Sequence, residues 1–105
     1  MAQFFHPSTD DITLSGVLAA LGEPARLRIV RALATCPEGR NCGEAAPDLQ
    51  LPRSTLSNHF RILRESGLVR MQKKGVENIN ALRFDDIELR FPGLLTGILS
   101  YENTD

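Results

Sequence analysis

Residues 54–69 read STLSNHFRILRESGLV and contain the clearest helical pattern in the chain. Its apolar side chains Leu56, Phe60 and Leu63 stand at i, i+4 and i+7, so they share one face of a helix. At about 100° per residue, the opposite face is polar and carries Ser54, Asn58, Arg61 and Glu65. The pattern predicts a helix over residues 53–66 that packs on a core through one side only and ends at Gly67.

A β-hairpin is predicted directly after this helix. Residues 68–72 alternate apolar and polar side chains, as a half-buried strand does. Lys73, Lys74 and Gly75 are typical of a turn, and a second alternating stretch lies within residues 76–84. The inner residues expected on the second strand are Ile79, Ala81 and Leu82.

Three helices are expected before this helix and one after the hairpin. Pro24 begins the second helix, and Pro47 shortens or distorts the third, at residues 42–49. Pro92 begins the last helix, which is apolar on one side. The predicted fold class is mainly α with a small β-hairpin. From this order of elements we expect the 105 residues to form a single winged helix-turn-helix domain, in which about residues 41–84 are the candidate DNA-binding part.

The charge of the chain is unevenly distributed. The formal net charge is −1, yet residues 53–74 contain six basic residues and a single acid, Glu65. A basic segment within an acidic chain can face a phosphate backbone locally, although Lys and Arg also occupy ordinary solvated faces. Charge alone therefore leaves open both a nucleic-acid interface and a solvated helix face.

The order of the elements favours DNA binding. An α-helix fits the major groove of B-form DNA, where short polar side chains near its N-terminus reach base edges. Asn58 suits a bidentate contact with adenine, the arginines suit phosphates or in one case guanine, and the hairpin tip suits a neighbouring groove or the backbone. The predicted DNA contacts are Arg53, Ser54, Thr55, Ser57, Asn58, Arg61, Arg64, Lys73 and Lys74. The alternative is a winged-helix module that binds protein, but such a module does not need a polar helix face beside a basic hairpin tip.

Two stretches carry a family resemblance. Residues 24–29, PARLRI, and residues 54–69 closely resemble the ArsR/SmtB family of winged-helix repressors, and the similarity extends over about residues 12–100. The resemblance implies a homodimer formed by the first and last helices, and repression relieved by a metal, a thiol oxidant or a small molecule. It also favours a structural position for His59, which borders the apolar face of its helix.

Apolar residues on the first and last helices predict the dimer interface. These helices carry more apolar residues than a thin domain can hide, and large apolar patches normally mark an interface. The predicted interface residues are Leu14, Leu18, Leu21, Leu94, Leu95, Ile98 and Leu99. A dimer with two-fold symmetry is expected to bind double-stranded DNA that contains an inverted repeat. The centres of the half-sites are expected to lie about 10 bp apart or a multiple of that distance.

Cys36 and Cys42 are a candidate redox pair. Five residues that include Pro and Gly separate them, and a position near a helix N-terminus favours the thiolate of Cys42. A thiol-redox-sensing repressor is therefore one alternative, and two ordinary small residues in a reducing compartment are the other. The resemblance implies that a metal-sensing member would have paired cysteines in the third helix or histidine and carboxylate ligands on the last helix. Here the third-helix region has a single cysteine and the last helix has no histidine, so no metal or cofactor is expected. A site of His6, Cys42 and Asp48 assembled across a dimer is the remaining metal alternative.

Several classes of protein are not expected from this sequence. It contains no nucleophile, base and acid set, no phosphate-binding glycine loop and no metal-ligand cluster, so it does not predict an enzyme. No apolar run approaches the roughly 18–20 residues needed to span a bilayer, and the N-terminal residues lack the pattern of a secretory signal. The sequence therefore predicts a cytoplasmic protein.

Overall fold

The computed structural model describes residues 5–41, 45 and 50–101. Within them a 3₁₀ turn precedes five α-helices and a two-stranded antiparallel sheet. In chain order these are α1 (Leu14–Leu21), α2 (Pro24–Ala34), α3 (Arg53–Glu65), β1 (Val69–Lys74), β2 (Glu77–Leu82), α4 (Phe84–Arg90) and α5 (Leu94–Ser100). The predicted fold class, mainly α with a small β-hairpin, is confirmed. The helix predicted at residues 42–49 lies outside the described residues except for Ala45, which is helical and buried.

Side-chain caps set the starts of α1 and α2. Thr13 Oγ1 accepts a hydrogen bond from the Gly16 amide at 3.1 Å, so α1 begins at Leu14. The Glu23 carboxylate accepts hydrogen bonds from two amides in the first turn of α2, and Pro24 occupies the first position of that helix, as predicted. The two helices are therefore consecutive and separately capped.

The hairpin turns later than the sequence predicts. Lys74 lies opposite Glu77 in the antiparallel register, which leaves Gly75 and Val76 as a two-residue turn. Gly75 has a φ of 62°, a conformation that favours glycine, and glycine at the first loop position is typical of such hairpins. The prediction of Lys73 and Lys74 as turn residues is therefore wrong. The turn begins at Gly75, because its first residue needs a positive φ, and both lysines remain in β1.

Asn80 is the fully buried residue of β2, although the sequence favours its neighbours. The predicted inner residues Ile79, Ala81 and Leu82 are each half-buried. Asn80 exchanges two backbone hydrogen bonds with Arg40, of 2.8 and 2.6 Å, and its side-chain amide donates to the Arg40 carbonyl at 3.3 Å. These bonds allow a polar side chain to occupy an inner position.

The core holds one face of α3 against the rest of the domain. Phe60 and Leu63 are buried, and each fully buried side chain of this kind stabilises the fold by about 1.5–3 kcal/mol. Their buried partners include Ile12, Val17, Ile29, Val30, Leu33, Leu68, Val69, Ile87 and Leu95. The opposite face of α3 is consequently left to solvent. None of the described helices combines the length and the hydrophobicity that a membrane crossing requires.

A carboxylate on α4 caps α5. Gly93 has a φ of 83°, and α5 begins at Leu94, two residues after the Pro92 that the sequence places at its start. Glu88 accepts hydrogen bonds from the backbone amides of Gly93, Leu95 and Thr96. The bond from the Gly93 amide, followed by those from the other two amides, holds the pKa of Glu88 below its ordinary value. Glu88 therefore ties the last two helices together in its ionised form.

Candidate nucleic-acid interface

The first half of α3 presents a continuous polar surface. Leu56 is half-buried, and Phe60 and Leu63 are buried, in agreement with the predicted inner face. The exposed residues of this half are Arg53, Ser54, Thr55, Ser57 and Asn58. Short polar side chains at the N-terminal end of a helix are the groups that reach base edges in a major groove. The structure thus brings together five of the nine residues predicted to contact DNA.

A line of hydrogen bonds runs along the outer face of α3. Arg61 Nη2 donates to Asn58 Oδ1, and Arg61 Nη1 donates to Glu65 Oε1 at 3.2 Å. The spacings of i+3 and i+4 place the three side chains on one face of the helix. The Arg61 side chain is half exposed, but its charge is shared with a carboxylate. Arg61 therefore differs from Arg53, which lies exposed at the start of the same helix.

Arg64 lies apart from the exposed polar surface. Its side chain is half-buried, and Nη1 donates towards Met71 Sδ at 3.8 Å. Arg64 therefore joins α3 to β1. The sequence predicts a phosphate contact for Arg64 because it shows the charge of the side chain. It does not show that β1 lies close to that side chain.

The hairpin of β1 and β2 is here called the wing. Its two lysines lie on opposite faces. Side chains alternate along a strand, so Lys73 shares a face with Met71, which is the face that contacts α3 through Arg64. The residue opposite Lys73 is the neutral Asn78, whereas Lys74 lies opposite the acidic Glu77. The positive charge of Lys73 is therefore not balanced by its cross-strand partner, whereas that of Lys74 is.

A groove separates α3 from the wing. Its volume is about 490 Å³, and it is lined from α3 by Arg53 and Ser57 and from the wing by Glu77 and Asn78. Glu77 Oε1 accepts a hydrogen bond from Asn41 Nδ2 at 3.0 Å, which ties the wing to the segment before residue 45. Asn78 was not among the residues predicted from the sequence. It lies opposite Lys73 in the antiparallel register.

His59 has structural partners on α2 and at its N-terminal cap. Arg26 Nη1 lies 3.2 Å from His59 Nδ1, and because a guanidinium can only donate, that nitrogen accepts. The proton of the neutral ring is then on Nε2, which lies 3.8 Å from the Glu23 carboxylate. Arg26 also donates to the Ala20 carbonyl at 2.7 Å. His59 thus locks α3 to α2, in agreement with the structural position favoured by the sequence.

Exposed apolar side chains also lie on α1, on α4 and at the end of α5, and they are here called the apolar surface. Leu14 and Leu18 are each 46% exposed, and Leu89 and Tyr101, which the sequence analysis did not single out, are more exposed still. Three of the other predicted interface residues, Leu94, Ile98 and Leu99, are half-buried.

Leu21 and Leu95 do not belong to this apolar surface. They are only 7% and 0% exposed, because both pack into the core of their own protomer. Their prediction as interface residues is therefore wrong. Helical spacing shows that a leucine lies on an apolar face but does not distinguish a shared surface from the interior.

The candidate switch residues are described only in part. Cys36 is a free, half-buried thiol with Sγ 3.5 Å from the Gly39 carbonyl oxygen, whereas Cys42 lies outside the described residues. Of the metal alternative, His6 Nε2 accepts a hydrogen bond from the Met71 amide at 3.0 Å, and Asp48 lies outside the described residues. Over residues 5–41, 45 and 50–101, no three His, Cys, Asp or Glu side chains are grouped as metal ligands.

Comparisons with known proteins place the chain in a family. The profile of a helix-turn-helix domain family matches residues 21–72. The chain is 32% identical over 87 residues to the HTH-type transcriptional regulator YceK of Bacillus subtilis, covering 83% of this chain and 87% of that protein. Its relatives are transcriptional regulators, which are not enzymes.

Solved structures share the fold. An ArsR family transcriptional regulator superposes with a TM-score of 0.67 at 21% identity, covering 80% of this chain and 90% of the other. The cadmium metal-sensor CMTR of Mycobacterium tuberculosis superposes with a TM-score of 0.57 at 30% identity, covering 88% of this chain and 94% of the other. The exposed polar helix, the adjacent wing and these similarities agree: the fold is that of ArsR family members, and the chain belongs to the helix-turn-helix transcriptional regulators.

Proposed function

We propose that this regulator is a homodimeric repressor that binds a specific double-stranded DNA operator through α3 and the wing. The observation that carries the proposal is the exposed polar half of α3, which lies beside a groove and the Lys73 face of the wing. In this proposal α3 enters the major groove, where Ser54, Ser57 and Asn58 reach base edges. Arg53 and the wing lysines contact the phosphate backbone.

The proposed dimer rests on the apolar surface of α1 and α5. Leu14 and Leu18 stand one helical turn apart, and both are about half exposed in the protomer. Covering them together with the half-buried Leu94, Ile98 and Leu99 removes apolar surface from water, which is the main driving force for association. An isologous two-fold contact is the commonest arrangement that does this.

The proposed operator follows from the symmetry of the dimer. Two copies of α3 related by a two-fold axis enter major grooves on one side of the duplex, so the operator is an inverted repeat. Release by an effector is part of the proposal, and oxidation of Cys36 with Cys42 is the first route to examine. A repressor of this kind acts on DNA in the cytoplasm.

Selection of bound sites from random duplex DNA tests the proposal. The full chain is incubated with the library under reducing conditions and again after mild thiol oxidation, and bound DNA is sequenced. The expected result is one enriched inverted repeat with reduced protein. The thiol route would be supported if oxidation abolished the enrichment and a reductant restored it. The Cys36→Ser variant should then keep its enrichment after oxidation. Binding without any enriched sequence would contradict sequence-specific DNA recognition, and the absence of salt-dependent binding to duplex DNA would favour a protein-binding module.

A further inference from the structure

Arg61 is the exposed arginine of α3 whose side chain is committed in two directions within its own helix. One guanidinium nitrogen donates to the side chain of Asn58, and the other donates to that of Glu65 at 3.2 Å. Both partners lie on the same exposed face. A simple phosphate ligand would extend a free guanidinium away from the helix. Arg53, the other exposed arginine of α3, lies at the start of the helix beside the groove.

The contact with Arg61 determines how Asn58 presents its amide. A guanidinium has donors and no acceptor, so the amide oxygen of Asn58 faces Arg61 and the NH₂ group points away from it. The oxygen keeps a second lone pair, and the NH₂ group keeps its donors. Both are needed for a bidentate contact with the N6 and N7 edge of adenine. The contact thus orients Asn58 without consuming its capacity to read a base.

Glu65 fixes the other side of Arg61. Its carboxylate partly balances the guanidinium charge, which lowers the attraction of that charge for a phosphate. Two contacts also restrict the long side chain more than a single contact does. A side chain that is already ordered before binding loses less entropy when the complex forms.

We propose that Arg61 is a positioning residue, which holds Asn58 in the orientation that reads a base and contributes little to phosphate binding. The proposal rests on the proposed DNA-binding function and assigns to Arg61 a role in specificity, whereas the sequence suggested a phosphate contact. The three residues act as one unit along the outer face of α3. Asn58 makes the contact, Arg61 orients it, and Glu65 restrains Arg61.

The test separates sequence preference from salt dependence. The base pair read by Asn58 is first identified as the position at which Asn58→Ala loses its preference in site selection. Affinities for the operator, and for operators changed at that position in both half-sites, are then measured with Arg61→Ala and Arg61→Lys over a series of salt concentrations. Arg53→Ala is the matched control, since it removes an exposed arginine from the same helix. Circular dichroism and sedimentation confirm that each variant folds and assembles like the wild type.

Arg61→Ala should lower the discrimination at that position by about fivefold per half-site, the equivalent of one hydrogen bond, and leave the salt slope nearly unchanged. The double variant with Asn58→Ala should discriminate no less than Asn58→Ala alone. Arg61→Lys, which retains the charge and a donor, should recover part of the preference. Arg53→Ala should instead reduce the magnitude of the salt slope by about 1.8 for the two protomers and keep the preference.

Two contrary results are distinguishable. Arg61→Ala that keeps full discrimination and reduces the salt slope as Arg53→Ala does would overturn the positioning role and make Arg61 a phosphate ligand, with the proposed function intact. A wild-type protein without any preferred base at any position would overturn the proposed function, and the role of Arg61 with it.

Discussion

The polar surface of α3 and the wing differs from the apolar surface of α1, α4 and α5 in how each is built. On α3, exposed polar side chains are backed by a buried face and are tied to one another, as Arg61 is to Asn58. On α1, Leu14 and Leu18 are exposed without any polar role. The first surface therefore suits a polar, charged partner such as DNA, and we expect the second to bind a second copy of this chain.

The largest expected effect comes from breaking the apolar surface. Leu18→Asp places a carboxylate where the protomer leaves the side chain half exposed, so the fold tolerates it but a dimer must bury it. We expect a monomer at micromolar concentration in sedimentation, and operator affinity lowered by about 100-fold or more as the two half-sites lose their linkage.

Val76→Asp is the matched control for this change. Val76 is an exposed apolar residue at the tip of the wing, outside the predicted interface. This variant should remain a dimer. If the Leu18→Asp variant remained a dimer, the interface would have to lie elsewhere than on α1.

The next largest effect concerns base recognition by the polar surface. Asn58→Ala removes the side chain best placed to read a base and should reduce discrimination at one position of each half-site by about 1–3 kcal/mol. Site selection and competition binding measure this change. Unchanged preference at every position would show that α3 does not read bases through Asn58.

A smaller effect distinguishes the two lysines of the wing. Lys73 lies on the α3 side opposite a neutral residue, and Lys74 lies on the other face opposite Glu77. Lys73→Ala should reduce the magnitude of the salt slope by about 1.8, or about 0.9 for each protomer, and Lys74→Ala by less than half of that. Titrations over a range of salt concentrations measure both slopes. Equal slopes for the two variants would mean that the faces of the wing are not distinguished by DNA.

The smallest effect is a pH dependence of stability at Glu88. Its folded pKa is lowered, so its ionised contacts stabilise the fold above the ordinary value of 4.5 and are lost as the pH falls through the lowered pKa. Glu88→Gln should lower Tm at pH 7, and its difference from the wild type should shrink below pH 4.5. A Tm difference that is constant from pH 7 to pH 3 would exclude a contribution from the carboxylate charge.

The sequence predicts the inner face of α3 well because that face follows from the helical spacing of its apolar residues. Leu56, Phe60 and Leu63 report the buried side of a helix wherever the core lies. The burial of Asn80 was not predictable in this way, since it depends on a pairing with Arg40, 40 residues away in the chain. Local patterns carry no information about such a partner.

The same limit explains why side-chain exposure was predicted better on α3 than on α1 and α5. The exposure of residues 53–55, 57 and 58 follows from one helix alone, because the residues opposite a buried face are solvated. The extent of the proposed interface on α1 and α5 depends instead on which leucines the core buries, and the core buries Leu21 and Leu95. The pairing of Arg61 with Asn58 is allowed by their spacing but is not required by it.

Hydroxyl-radical footprinting of the selected operator shows directly whether a dimer reads an inverted repeat. We expect a footprint with two-fold symmetry, with half-site centres about 10 bp apart or a multiple of that distance. Protection at its outer edges should weaken in a Lys73→Ala, Lys74→Ala double variant, because the wing tips contact the flanks. Protection of a single short asymmetric site by one protomer would contradict the dimeric, sequence-reading repressor proposed here.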